Sequence, residues 1–410
     1  MLTTLRKAEY AELNVLFFVQ AAAIGIWLVP LGAVLDAHGM HRIKALAFAA
    51  SALAAFVSPL IFGAMADRQA SPVKVLRGLA LATAAAMALA SLAIQLRLNQ
   101  WLVLAVIQVY SLCASPTWSL CSTIVLARVA DAKKEFGPIR AMATLGWMSG
   151  CWLVSALNAD TSSLAGYTGA MIWLLMAVFT YFLPALTVPI GVENLTWRER
   201  FGLDALALLK NHDHRVVFIT IALFSIPLAA FYPFAPAHLH AIGLTHTSAW
   251  MSLAQVSEVI ALFSLGALIA HWRLKWIFAC GLGLGVTRFA LSALNQTDPL
   301  LLGIALHGAS FVLVFITAQI FLDQNIDPAW RARAQALLTL LNGGIGNLAG
   351  YLGSGWWFNA CSHSGVTHWP LFWGGLSVVV GGVLVFFLAT YRGKAAQPGM
   401  PLHHRAKPIQ

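Results

Sequence analysis

Three ionisable residues stand in the middle of long apolar runs: Glu258, Arg288 and His307. A charge at the centre of a bilayer costs roughly 2.5–3.5 kcal/mol on insertion scales, so such residues are retained for a purpose. Two readings are open. One is a structural ion pair that ties helices together. The other is a site for proton coupling or substrate. A carboxylate held between desolvation and a nearby arginine suits the exchange of a proton as its surroundings change. Glu258 is therefore the candidate proton carrier, with Arg140, Arg288 and His307 as the basic groups that act with it. Groups so close in kind titrate as a set.

Around them lie stripes of polar and aromatic side chains. Arg140, Thr144 and Trp147 fall at i, i+4 and i+7, one face of a helix offering a cation, a hydroxyl and a large ring. Arg140 is about one turn into its run, where it either snorkels to the interface or faces a pocket. Gln255 and Glu258 share a face at i and i+3, and His307 and Phe311 share one at i and i+4. Tyr232 stands among Pro227, Pro233 and Pro236 in an interrupted apolar run, and a broken helix is tolerated where it lines a cavity. Arg140, Thr144, Trp147, Tyr232, Gln255, Glu258, His307 and Phe311 are thus the expected substrate-binding set, a pocket with hydrogen-bonding ends and stacking walls. The run from Asn342 to Asn347, rich in glycine, reads as a place of close helix approach. His238 and His240 have no carboxylate or cysteine beside them, and neither a metal nor a cofactor is expected. Trp356, Trp357, Trp369 and Trp373 read as an interfacial belt.

The elements that must position these groups are set by composition. Of 410 residues, 60% are hydrophobic and 10% charged, against about 25% charged in soluble proteins. The apolar residues come in blocks of twenty or more, the length an α-helix needs to cross a bilayer. A soluble enzyme is excluded, and the absence of HExxH, GxSxG and P-loop patterns leaves no candidate catalytic centre. Spans are expected at 13–35, 43–65, 73–96, 100–128, 138–158, 167–189, 215–238, 249–271, 275–295, 299–322, 333–357 and 369–391. A charged break at 190–214 separates two six-helix halves, 1–189 and 215–392, and the polar tail 393–410 reads as disordered. The expected fold is all-α: a polytopic membrane protein of twelve transmembrane helices in two six-helix bundles, as in transporters that rock two bundles about a central site.

The net charge of +10 lies in short loops between apolar runs, so nucleic acid is not a partner. With both termini in the cytoplasm, 20 of the 25 lysines and arginines fall on the cytoplasmic side and 3 on the other, the bias that orients multi-pass proteins. The five cysteines form no CxxC pair and read as small core residues. The first apolar run is long and has no clean small-residue cleavage site, which favours a retained helix over a signal peptide.

Several stretches resemble known families. Gly63-Ala-Met-Ala-Asp67-Arg68 looks like the signature loop of the major facilitator superfamily, and that resemblance implies a gating role for Asp67 and Arg68. The spacing of Arg140, Gly146 and Trp147 resembles both lactose permease and the bacterial nucleoside:proton symporters. The symporters match over nearly the whole chain. The carriers of the likeness are Gln20, Gly25, Trp27, Leu28 and Gly32; Phe201-Gly-Leu-Asp204 running to Lys210-Asn211; Gln255-Val-Ser-Glu258; Arg288-Phe-Ala-Leu; and Arg333-Ala-Gln335 with the Asn342 run. The resemblance implies a nucleoside pocket lined by Arg140, Thr144, Trp147, Gln255, Glu258 and Phe311. It implies a nucleoside:proton symporter of a bacterial inner membrane, monomeric, working by alternating access in the lipid bilayer. The alternative is a sugar or glycoside:proton symporter of the lactose permease kind. Ala229 and Tyr232 stand where the symporters carry seventh-helix amides, and Val312 stands where they carry a tenth-helix aspartate.

The charge bias makes a topological prediction. A reporter fused after residue 393, or inserted in 190–214, is expected to read out as cytoplasmic. A periplasmic signal from either fusion overturns the orientation.

Overall fold

A chain crossing hydrocarbon must satisfy its backbone hydrogen bonds internally, which leaves helices as the only open-ended solution. The computed structural model describes residues 10–67, 71–184, 203–363 and 365–393. Among the described residues the membrane-crossing helices run α1 Ala11–Ala37, α2 Lys44–Asp67, α3 Pro72–Gln95, α4 Gln100–Leu126, α5 Ala132–Ala156, α6 Leu164–Phe179, α7 His212–Ala241, α8 Thr247–His271, α9 Leu274–Ala293, α10 Thr297–Asn325, α11 over 328–360 and α12 Trp369–Thr390. Eight of them are long and apolar enough to cross a membrane by length and composition. A two-residue hairpin, Ser362–His363 with Val366–Thr367, joins α11 to α12. Arg68, most of the 190–214 break and the tail from residue 394 lie outside the described residues, and the Asp67 side chain is likewise not described.

Two apolar cores form, one almost wholly from α1–α6 and one almost wholly from α7–α12. The chain is therefore a pair of six-helix bundles, and the polar groups collect at the seam between them. The breaks in the helices follow from sequence. α7 turns at Ala229–Ala230, just after Pro227, and resumes at Phe231. α10 and α11 each carry a wider π turn, at Val312–Ile316 and Leu340–Gly346. Such turns displace side chains from the regular stripe and recur at functional sites.

Glycines set the helix spacing at two places that matter. Gly146 of α5 lies on the backbone of Phe18 in α1, so that a Cβ there would run into the Phe18 carbonyl. Gly308 of α10 lies on Ala254 and Glu258 of α8, where an added Cβ would stand 2.6 Å from the Glu258 Cβ. The first contact holds the Arg140–Trp147 stripe against α1. The second presses the His307 helix onto the Glu258 helix, and Ser257 Oγ accepts the Ala309 N–H at 3.1 Å beside it.

At one end the bundles are locked together. α8 begins at His246, whose backbone is left-handed (φ +56°) and whose side chain makes no cap. The cap comes from the other bundle. Asp160, after α5, accepts the Ser248 N–H at 2.7 Å and the Thr247 hydroxyl at 3.4 Å. Ser155 Oγ donates to Asp160 at 3.1 Å and accepts the Ala249 N–H at 3.0 Å, while Trp152 Nε1 donates to Ser252 Oγ at 2.9 Å. A carboxylate satisfying free N–H groups at a helix start is favoured by both hydrogen bonding and the helix dipole. At the same end Lys44 pairs with Asp36 at 2.7 Å and lies over the rings of Phe234 and Phe358.

The tryptophan belt expected from sequence is corrected in part. Trp356 is 71% exposed, but Trp369 and Trp373 are 8% and 1% exposed. They pack around the buried His238, whose ring stacks on Trp369 and whose Nδ1 accepts from Trp373 Nε1 at 2.9 Å. His238 also pairs with Asn295 Oδ1 at 2.8 Å. Apolar bulk decided the outcome: the rings fill the end of the second bundle's core rather than its rim.

The glycine contacts make a stability prediction. Gly146→Val forces α1 and α5 apart, and overpacking of this kind costs roughly 1–3 kcal/mol. A lowered Tm in detergent is expected, whereas Gly78→Ala, where an added Cβ meets open space, is expected to hold or slightly raise it. Equal melting of the Gly146 variant and the parent rejects the close-approach account.

Candidate functional site

The sequence-predicted pocket residues come from four helices, and the fold brings all eight to one cavity of about 300 Å³ between the bundles. α5 contributes Arg140, Thr144 and Trp147 to one wall. α7 contributes Tyr232, α8 Gln255 and Glu258, and α10 His307 and Phe311 to the other. The stripes are the reason: each set shares a helix face, and the glycine contacts turn those faces to the seam.

The cavity has an aromatic side. Trp147 and Tyr232 meet across the bundles with ring centroids 5.6 Å apart, and Tyr232 meets His307 edge-on at 6.1 Å. Phe311 packs on Phe315 behind it at 4.9 Å. It also has a charged side. The Arg140 guanidinium lies 4.9 Å from the Trp118 ring and faces the Glu258 carboxylate across the space, without an ion pair between them among the described residues. Two buried polar atoms, Gln255 Oε1 and Trp147 Nε1, have no protein partner among the described residues. Buried polar groups are normally paired, so these are atoms available to a ligand.

Arg288 is placed differently. It is 2% exposed and stands behind the cavity wall. Its guanidinium lies over the rings of Phe231 and Phe289 and donates to His307 Nδ1. His307 itself stacks on Phe231 with centroids 3.9 Å apart.

Other lining residues were not singled out as site residues from sequence. Trp118 of α4 has no charged residue at i±3, i±4 or i±7 to mark its face. Asn342 and Asn347 of α11 are five apart, which in a regular helix sets them on different faces. The π turn at Leu340–Gly346 brings both to the cavity. Asn342 accepts from Ser225 Oγ at 2.9 Å. The close approach expected of that run is also present: a Cβ at Gly346 would stand 2.6 Å from the Ser225 Cβ. Tyr351 completes the wall one turn beyond Asn347.

Comparison with known proteins agrees with this arrangement. A family model described as nucleoside H+ symporter matches residues 8–396. YegT of Escherichia coli K12 is 32% identical over 360 residues, covering 83% of this chain and 82% of the relative. The nucleoside permease NupG of the same organism is 27% identical over 397 residues, covering 90% and 93%. The crystal structure of the nucleoside transporter NupG superposes with a TM-score of 0.85 at 25% identity, over 94% of this chain and all of that one. The sugar-symporter alternative is not favoured by these matches. A cavity at the seam of two six-helix bundles, lined from both, and a family match over nearly the whole length lead to one assignment: the chain is a multi-pass membrane transporter of the major facilitator fold and belongs to the nucleoside H+ symporter family.

Proposed function

We propose that this protein carries nucleosides across a bacterial inner membrane together with protons, as a monomer, by exposing the seam cavity alternately to each side. The observation that carries the proposal is the pairing, in one cavity, of stacking rings with a carboxylate that has no ion-pair partner among the described residues. A nucleoside offers a flat base and a polyhydroxyl ribose. Trp147 and Phe311 suit the first; Arg140, Thr144, Gln255, Glu258 and Asn342 suit hydrogen bonding to either part.

The moving units are the halves 1–189 and 215–392, joined by the 190–214 linker and followed by the cytoplasmic tail 393–410. With both termini cytoplasmic, the Asp160 lock lies on the periplasmic side. The cavity is then closed toward the periplasm. Opening outward requires Asp160 to release the start of α8, and Asp67 with Arg68 to gate the opposite end.

Glu258 is the proposed proton carrier. Protonation removes a charge from the middle of the membrane, and deprotonation leaves a carboxylate facing Arg140. Substrate entering between them alters that balance, so proton and nucleoside occupancy become linked. By reciprocity each then changes the affinity for the other.

Uptake into proteoliposomes under an imposed pH gradient tests the proposal, with uridine and adenosine compared against lactose and melibiose. Transport of the sugars alone sinks it. Glu258→Gln is a permanent mimic of the protonated form. It is expected to abolish accumulation against a gradient while nucleoside exchange continues; uphill uptake by this variant removes Glu258 from the role. Stacking on an aromatic ring is worth roughly 1–3 kcal/mol per base. Trp147→Ala is therefore expected to weaken nucleoside binding about tenfold to a hundredfold, with Trp147→Phe mild. Unchanged affinity in the alanine variant rejects the stacking wall.

A further inference from the structure

Arg288 and His307 stand apart from the other charged groups of the seam, because a single contact constrains both. The guanidinium of Arg288 donates to Nδ1 of His307. Arginine carries only donors. The imidazole nitrogen facing it must therefore hold a lone pair, and the ring's one proton must sit on Nε2. An imidazolium has no acceptor to offer there, and it would place two cations in contact in a site shielded from water. The geometry around the pair holds this arrangement. Phe231 stacks on the His307 ring at 3.9 Å with planes 16° apart, which fixes the ring's plane. The same Phe231 and Phe289 clasp the Arg288 cation at 4.6 and 4.4 Å. α9 and α10 are pressed together at this level, where a Cβ at Gly303 would stand 2.6 Å from the Arg288 carbonyl.

The other ring nitrogen has no partner among the described residues. His307 lines the cavity, and Nε2 is not among the occluded polar atoms. The groups that face the ring from the packed helices are Tyr232 of α7, Glu258 of α8 and Arg288 of α9.

We infer that His307 is a fixed hydrogen-bond donor of the substrate cavity, oriented by Arg288 as a positioning residue, and that it selects ligands carrying an acceptor opposite Nε2. This inference rests on the nucleoside reading of the cavity. For a nucleoside the acceptor is a carbonyl oxygen or an unprotonated ring nitrogen of the base, brought to the ring when the base stacks beside Trp147. An analogue without that acceptor leaves a buried N–H unpaired, the situation in which polar sites discriminate most strongly. The sequence alone enlists Arg288 and His307 in proton coupling; the donor arrangement gives them a role in recognition, and leaves proton carriage to Glu258.

Two measurements decide it. The first is 15N NMR of histidine-labelled protein, with the His307 signals identified by their loss in His307→Gln. The neutral Nε2–H tautomer is expected throughout the range from about pH 5 to pH 8, where a free histidine changes charge. Arg288→Met is expected to mix the tautomers and let the ring titrate, and Arg288→Lys, which still donates, to restore the single form. A doubly protonated His307 in the parent protein within that range overturns the inference. The second is binding and uptake by His307→Phe, which keeps a ring on Phe231 and loses the donor. Affinity for uridine or adenosine is expected to fall roughly tenfold or more, the worth of a buried hydrogen bond. The loss should vanish for the one analogue missing the acceptor, drawn from pyrimidin-2-one riboside and the 1-, 3- and 7-deazaadenosines. Uphill uptake should persist at a raised KM. Loss of accumulation with affinity intact assigns His307 to proton carriage and overturns the inference. Absence of any nucleoside binding by the parent protein defeats the substrate reading, while the NMR tautomer still decides the donor assignment.

Discussion

A bilayer gives no solvation to a charge, so each ionisable side chain at mid-depth must find a counter-charge, a ring face or a wet cavity. Four such groups among the described residues, Arg140, Glu258, Arg288 and His307, gather at the seam between the bundles or immediately behind it. Arg140 has the Trp118 face and the cavity. Arg288 has two phenylalanine faces and an imidazole lone pair. Glu258 has the cavity, with Arg140 across it. The remainder of each bundle can be apolar because these four are collected in one place. The close contacts at Gly146 and Gly308 are what collect them: side chains of any size at those two positions would hold the stripes apart.

The closed end shows how such a seam can be both firm and reversible. The hydrogen bonds there join the Asp160 carboxylate, Ser155 and Trp152 of one bundle to backbone and hydroxyl groups of the other. Little apolar surface is shared across that point, chiefly Val29 and Cys151 against the second core, so separation exposes mainly a helix start and a carboxylate, both of which water satisfies well. A lock made from a helix cap is strong in the dry closed state and inexpensive to release into water. That is the property an alternating gate requires, and the proposed rocking of the bundles leaves the bulk of their apolar cores undisturbed.

Much of this was legible in the sequence. The twelve apolar runs match the twelve helices to within a few residues at most ends, because hydrocarbon thickness dictates their length. The eight expected pocket residues meet in one cavity because i, i+3, i+4 and i+7 spacing survives in straight helices. What was hidden depended on departures from that regularity. Asn347 reaches the cavity through a π turn, and no spacing rule for an ordinary helix anticipates it. Trp369 and Trp373 lie where an interfacial belt is expected, yet pack inward on His238, since which face of α12 turns to the core is set by the neighbours it meets. Trp118 became part of the site only through α4 passing beside Arg140. The donor relation between Arg288 and His307 belongs to the same class: residues 19 positions apart on different helices, whose mutual orientation is a property of packing alone.

Val312 draws these strands together. In the resembling symporters the residue after the tenth-helix aromatic is an aspartate, and its absence here questions how coupling is kept. In this fold Val312 is fully buried and opens the π turn. It belongs to an apolar cluster with Ala261, Leu265, Ile277 and Leu313, apart from the cavity lining. A carboxylate placed among those neighbours would be buried without a partner, at a cost of several kcal/mol. The surroundings suit a hydrocarbon side chain, and no described neighbour in that cluster is an acid. With Arg288 satisfied by rings and imidazole instead of a carboxylate, and His307 a donor on the inference above, Glu258 is the one carboxylate among the described lining residues of the cavity, which is the ground on which we propose it as the proton carrier.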